Sequence, residues 1–306
     1  MIEAAGLSKR YGDKTAVDDI SFTVQPGTVT GFLGPNGAGK STTMRMIVGF
    51  DRPTAGTVTV NGKPYFAHHA PLTEVGVLLD AKSVHPGRSA YQHLRAMAAT
   101  HGIGNRRVRE VIEMTGLEQV AKKRVGGFSL GMGQRLGIAT ALLGDPATLI
   151  LDEPINGLDP EGVRWVRTMA RHMADEGRTV FISSHLMSEM AQTADHLLVI
   201  GRGRIITAGP IHEVIATATT PSVRVVTPDV KELADVLSAH GATIRTLAPS
   251  ELEVSDLPSA RIGELAARHQ LTLHELTPLD ASLEDAYLSL THDQVEYHTE
   301  AVAGVA

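Results

Sequence analysis

The stretch Gly34-Pro35-Asn36-Gly37-Ala38-Gly39-Lys40-Ser41-Thr42 constrains this chain more than any other. It fits the spacing G-x-x-x-x-G-K-[ST], follows the apolar run Val29–Leu33 and precedes an amphipathic run. It therefore reads as a strand, a phosphate-binding loop and a helix in succession. A polyphosphate is wrapped at close range by backbone N–H groups, and side chains bulkier than glycine obstruct that approach. Gly34, Gly37 and Gly39 leave the room, with Asn36 and Ala38 between them in the wrap. A helix starting near Ser41 aims its unpaired N–H groups and positive dipole end at the phosphates. Lys40 adds a mobile charge for the outer phosphates, the Ser41 hydroxyl is placed to ligate Mg2+, and Thr42 offers a second phosphate-facing hydroxyl. The other reading, an ordinary glycine turn, leaves the strand, loop and helix context unexplained.

A chain of 306 residues exceeds one compact core of typical size, so two domains are expected. The absence of cysteine excludes disulfides, thiol catalysis and cysteine-ligated zinc, and suits a reducing cytoplasm. With 34 acidic against 28 basic side chains, a net charge of −6, no nucleic-acid partner is expected. No apolar run approaches a membrane span, since even residues 138–151 are broken by Thr140, Gly144, Asp145 and Pro146. Residues 1–6 lack the basic-then-apolar order of a signal peptide, so the expected location is cytoplasmic.

Alternating residues 2–7 and 16–24, with a turn at Tyr11-Gly12, predict an antiparallel edge sheet. Tyr11 reads either as an aromatic at a turn or as a platform for an adenine base. Residues 29–33 read as a buried parallel strand and 41–48 as a helix; 57–60 with Asn61-Gly62 read as a hairpin strand and its turn, and 75–79 as a short strand ending at Asp80. Residues 81–144 change to helical spacing, over 90–101, 106–115 and 117–124, which predicts a helical insertion ending in Phe128-Ser129-Leu130-Gly131-Met132 and the helix 136–143. Taken alone, Ser129 is an N-cap.

Residues 149–153, Leu-Ile-Leu-Asp-Glu, read as a buried strand ending in two carboxylates at the carboxyl edge of an open α/β sheet, where the phosphate loop also sits. Asp152 would hold Mg2+, and Glu153 would orient or deprotonate the attacking water. Asp159-Pro160 starts a helix to about Glu176, the strand Thr179–Ser183 is closed by Ser184 and His185, and residues 196–208 form a hairpin. His185 reads as a structural histidine or as a contact for the terminal phosphate. Residues 216–221 read as a linker, giving a first domain over 1–217 with its helical subdomain at about 81–145. Beyond it come strand 223–226, helix 230–240, strands 243–247 and 251–254, helix 260–269 and strand 271–276, the ferredoxin-like β-α-β-β-α-β order of a small α+β domain over 222–290. A short helix, 282–290, closes it, and the tail 291–306 is expected to be disordered.

Together these residues resemble the ATPase subunit of ATP-binding cassette (ABC) transporters over residues 2–216. Residues 34–42 are similar to its Walker A loop, 149–153 to its Walker B strand and catalytic glutamate, Asn156-Gly157-Leu158-Asp159 to its D-loop, His185 to its switch histidine and 128–132 to its LSGGQ signature. The resemblance implies that Tyr11 stacks adenine, that Asp159 belongs to the nucleotide site, and that Lys40, Glu153 and His185 serve catalysis. It further implies a P-loop NTPase fold that binds ATP and Mg2+, and a head-to-tail homodimer in which Ser129 and Gly131 of one chain meet the γ-phosphate held by the other. A separate membrane permease would receive the motion near residues 80–90, on the inner face of the cell membrane. Leu130 and Met132 depart from the signature, and Asp80 stands where the family has a glutamine that touches Mg2+. Residues 282–288 resemble the extension of a drug- and antibiotic-export subgroup, which implies export of drug, antibiotic or lipid-like cargo. Two other readings stand beside this one: a non-transport ABC ATPase acting on DNA or ribosomes, and a nucleotide-binding regulatory subunit.

Overall fold

The structure, a computed structural model, describes residues 1–291 except 82, 219–220 and 280–281. The tail expected to be disordered lies outside the described residues beyond Thr291. The described chain divides into two compact units, one over Met1–Ile211 and one that starts at His212.

The first unit is built on β3 (Val29–Leu33), whose five residues are all buried, as its unbroken apolar run requires of a strand covered on both faces. Four strands share its direction: β5 (Val75–Leu78), β6 (Thr148–Leu151), β7 (Thr179–Ser183) and β8 (His196–Gly201), with β9 (Arg204–Pro210) antiparallel at the edge, in the order β5-β6-β7-β3-β8-β9. Phe32 pairs with Ser183 and Leu151 with Ile182, so the strands end level at one edge. A separate antiparallel sheet, β2-β1-β4, consists of β1 (Ile2–Tyr11), β2 (Lys14–Val24) and β4 (Ala55–Val60). Three aromatic rings bind the two sheets: Phe22 of β2 lies 6.4 Å from Phe32 and 6.1 Å from Phe181, which are themselves stacked at 5.1 Å.

Two expectations in this unit give way. Asn61 and Gly62, at φ 51° and 79°, make the predicted turn, but only Val60 and Lys63 bridge across it, and β4 pairs with β1 instead. Pro64 has no N–H with which to continue a ladder. In the helical insertion, Ala90–Thr100, Asn105–Met114 and Leu130–Leu142 are helices, whereas residues 117–124 hold only the single 3₁₀ turn Glu118–Val120. There Leu117 is buried and the Ala121 carbonyl accepts from Tyr91 N at 2.8 Å, so tertiary contacts draw this segment into a loop. The helix Met187–Thr193 carries no cap signal and was not foreseen.

The second unit begins with the helix Ile211–Ala218, in part of the stretch that reads as a linker; its alanines are strong helix formers. β10 (Ser222–Val226), β11 (Thr243–Ala248), β12 (Glu251–Ser255) and β13 (Glu275–Leu279) form a sheet in the order β11-β12-β10-β13, each neighbouring pair antiparallel. The helices Val230–Ala239 and Ser259–Arg268 cover one face, burying Leu233, Leu237, Ile262 and Leu265 against Val225, Leu252 and Val254. The last strand starts at Glu275 rather than Leu271: Leu271 and Leu273 pack on the core from an irregular segment. Pro278 is tolerated because β13 is an edge strand.

Phe181→Ala, which empties the centre of the aromatic trio, is expected to lower stability by about 3–5 kcal/mol. Urea unfolding followed by circular dichroism measures it, and a loss below about 1 kcal/mol would deny the trio its role.

Candidate functional site

The helix Lys40–Ile47 begins directly from the glycine loop. Its N-cap, Gly39, has no side chain to occupy the first-turn N–H groups, which stay available to an anion. Glycine is required here on two counts. Gly39 sits at φ 110°, where a Cβ would stand 2.6 Å from the Ala16 carbonyl, and a Cβ on Gly34 would stand 2.3 Å from the Ile200 carbonyl. Lys40 is buried, and its Nζ donates to the carbonyls of Gly34 at 2.6 Å and Pro35 at 3.3 Å. Burial pushes its pKa down, and the nearby carboxylates of Glu153 and Asp152 oppose that shift.

A cleft of about 230 Å³ is lined by Asn36, Gly37, Gly39, Lys40, Ser41 and Thr42 of the loop, by Ala16, and by Asp152 and Glu153. Sequence positions far apart thus meet as the level strand ends require. A second cleft of about 280 Å³ beside it is lined by the loop from Pro35 to Ala38, by Lys14, Thr15 and Ala16, and by the hairpin turn Arg202-Gly203. The loop, helix start and acids suit a magnesium-bound polyphosphate. Among the described residues no group of three or more His, Cys, Asp or Glu side chains is arranged to hold a metal ion, so a cation here would draw on Ser41, Asp152 and the phosphates themselves.

The two acids are held by a residue that sequence reading passed over. Ser183, fully buried at the end of β7, donates from Oγ to Asp152 Oδ1 at 2.5 Å and accepts from Glu153 N at 2.9 Å. Its position as the last residue of an apolar strand beside the acidic one was the available signal. Glu153 takes φ 49°, the left-handed region, and its Oε2 lies 2.7 Å from His185 Nδ1. His185 thus stands against the carboxylate.

Other expected residues lie off this cleft. Tyr11, 47% exposed, donates to Asp51 Oδ2 at 2.7 Å; Arg45 Nε holds the same oxygen at 2.7 Å, and Lys9 Nζ lies 4.9 Å from the ring centre. The ring is therefore oriented, but it lines neither cleft. Ser129 caps the helix Leu130–Leu142 by accepting from Met132 N at 3.2 Å. Gly131 faces the Gly157 carbonyl, 2.7 Å from where a Cβ would be, and the Leu130 side chain lies over Gly157, which gives the substituted position its place. Asp159 caps the helix Pro160–Asp175 through Gly162 N at 2.9 Å, with Arg135 3.8 Å away. Asp80 is exposed just past β5, and its carbonyl accepts from the Ser83 hydroxyl at 2.9 Å.

Residues 17–156 match the family described as ABC transporter, and residues 221–284 match a domain of unknown function (DUF8746). The chain is 35% identical to the uncharacterized ABC transporter ATP-binding protein YhcH of Bacillus subtilis, over 97% of each chain. It is 34% identical to the bacitracin transport ATP-binding protein BcrA of Enterococcus faecalis, over 95% of this chain and 96% of that one, and 35% identical to the Nod factor export ATP-binding protein I of Burkholderia lata, over 96% and 98%. A solved ATP-binding subunit of an ABC transporter superposes with a TM-score of 0.63 at 26% identity, covering 71% of this chain and 92% of that one. Full-length likeness of this kind, joined to the loop, acids and strand order, makes the chain a member of the ABC transporter ATP-binding protein family.

Proposed function

We propose that this ABC ATPase powers export of an antibiotic-, drug- or lipid-like cargo through a separate membrane permease. The observation that carries the reading is the meeting of Lys40, Ser41, Asp152 and Glu153 around one cleft. Relatives alike over nearly their whole length, named for bacitracin transport and Nod factor export, support the direction of transport and favour it over action on DNA or ribosomes and over a regulatory subunit. Ser129 and Gly131, which lie off the cleft of their own chain, would complete the site of a second copy in a head-to-tail homodimer with two ATP molecules between the chains, as the likeness of residues 128–132 to the family's signature implies.

Within each site the loop N–H groups and Lys40 bind the phosphates, and Tyr11 stacks the adenine. Mg2+ would be held by Ser41 and Asp152 and would supply charge neutralisation at the phosphates, while Asp80 lies off this cleft. Glu153 orients the attacking water and takes its proton, while His185, set by that carboxylate through Nδ1, keeps Nε2 for the terminal phosphate. Asp159, which caps its helix off the cleft of its own chain, would belong to the site only through the second copy. Among the described residues no helix is long and apolar enough to cross a membrane, so the permease supplies the span and holds the ATPase at the inner face of the cell membrane. Within the second unit, residues 222–290 we read as a ferredoxin-like accessory domain, which the sheet order supports.

Lys40→Ala is expected to weaken ATP binding by about 10- to 100-fold in a nucleotide titration; unchanged affinity would sink the loop assignment. Glu153→Gln should keep ATP binding, lower hydrolysis by about 100-fold or more and accumulate an ATP-bound dimer on size-exclusion chromatography. A variant that turns over at the parent rate would remove Glu153 from the reaction. Ser183→Ala, losing both bonds to the acids, should lower kcat by about tenfold while the KM for ATP stays within about twofold; a change in KM alone would reassign Ser183 to binding.

A further inference from the structure

One buried side chain joins the helix that begins at the turn 129–131 to the backbone of Glu153 in the same chain. Gln134 lies on the helix Leu130–Leu142 and is 6% exposed. Its Nε2 donates to the main-chain carbonyl of Glu153 at 2.9 Å. Because that partner only accepts, the amide nitrogen must face it, and the orientation of the side chain is fixed. The other amide atom, Oε1, is buried without a hydrogen-bond partner. A side chain that leaves half its amide unpaired in the interior is held there by the bond it does make.

Glu153 needs such a bond. A non-glycine residue at φ 49° persists only where its surroundings over-determine the backbone. Besides the local bond from Asn156 N to the Glu153 carbonyl at 3.3 Å, two contacts from other elements do so, one on each side: Ser183 Oγ on the Glu153 N–H and Gln134 Nε2 on the Glu153 carbonyl. The same helix start also presses on the segment that follows Glu153, with Gly131 against the Gly157 carbonyl and Leu130 over Gly157. Turn, helix and catalytic segment are therefore in contact through several points, of which Gln134 is the one that reaches the peptide carrying the carboxylate.

We propose that Gln134 is a positioning residue for Glu153, which transmits the placement of the turn at residues 129–131 to the carboxylate of its own chain. The proposal rests on the reading of Glu153 as the base and of Ser129 and Gly131 as completing the site of a second copy. In that head-to-tail pair the turn meets the nucleotide of one site while Gln134 grips the catalytic residue of the other. Binding at one site then adjusts hydrolysis at its twin. Gln134 touches no reacting atom, so its effect falls on turnover and on cooperativity between sites, with affinity left in place.

Two variants of the full chain test this. Gln134→Met keeps the length and volume of the side chain and removes the donor. It should lower kcat about tenfold, leave the KM for ATP within about twofold and bring the Hill coefficient for ATP toward 1. Gln134→Glu carries a group that donates when protonated and cannot when ionised. Its kcat relative to the parent should rise as pH is lowered, whereas the same ratio for Gln134→Met stays flat; a purely packing role gives both variants the same pH response. Parent-like kcat and Hill coefficient in Gln134→Met, or a flat ratio in Gln134→Glu, would overturn the proposal. Glu153→Gln, assayed in parallel, separates the two readings. If it is inactive while Gln134→Met equals the parent, only the positioning role falls; if it hydrolyses ATP at the parent rate, the role of Glu153 falls and the positioning role with it.

Discussion

Parallel pairing of β3 with β7 is the interaction on which the site depends. It sets Phe32 beside Ser183, so the strand that leads into the glycine loop ends level with the strand that supplies the serine. β6 pairs with the far side of β7 in the same direction, bringing Asp152 and Glu153 to that edge. A slip of one residue would exchange the faces of Ile182 and Ser183 and turn a methyl-rich side chain toward the two acids. The stacked rings of Phe22, Phe32 and Phe181 guard against that slip, since two of them belong to the paired strands and fit together only in this alignment.

Charge at this edge is balanced by burial. Lys40 gives up hydration to lie beneath the loop, and the two acids across the cleft return part of what it loses. Ser183 is placed between those two residues as a neutral go-between, donating a hydrogen bond to the Asp152 carboxylate and accepting one from the Glu153 peptide N–H. A hydroxyl that donates on one side and accepts on the other orders both groups without adding charge of its own.

Much of this was legible in the residues, and the exceptions share a cause. The glycine loop, the acidic strand end, Ser129 and Asp159 as helix caps and the hairpin at residues 196–208 are all local: their chemistry lies within a few positions of the chain. Ser183 and Gln134 carry no such mark. A serine that ends an apolar strand and a glutamine on a helix are ordinary until the fold brings them to Glu153 from 30 and 19 positions away. The misread segments follow the same rule. Residues 117–124 have helical spacing but are drawn out by contacts with the helix Ala90–Thr100, and residues 271–274 have the apolar character of a strand but spend it on the core. At residues 216–218 the opposite occurred, and the helical propensity of alanine outweighed a composition typical of linkers.

The second unit's sheet shows where its cohesion lies. Opposite the two helices, Arg224 pairs with Glu251 at 2.6 Å and Glu275 at 3.5 Å, and Arg245 pairs with Glu253 at 2.5 Å, in rows that run across the strands. These pairs are partly exposed, and mobile ions screen them over about 8 Å at physiological ionic strength. The aromatic junction of the first unit is hydrocarbon, which strongly hydrated salts reinforce. Rising ionic strength therefore loosens these surface rows of the second unit without loosening the apolar core of either unit.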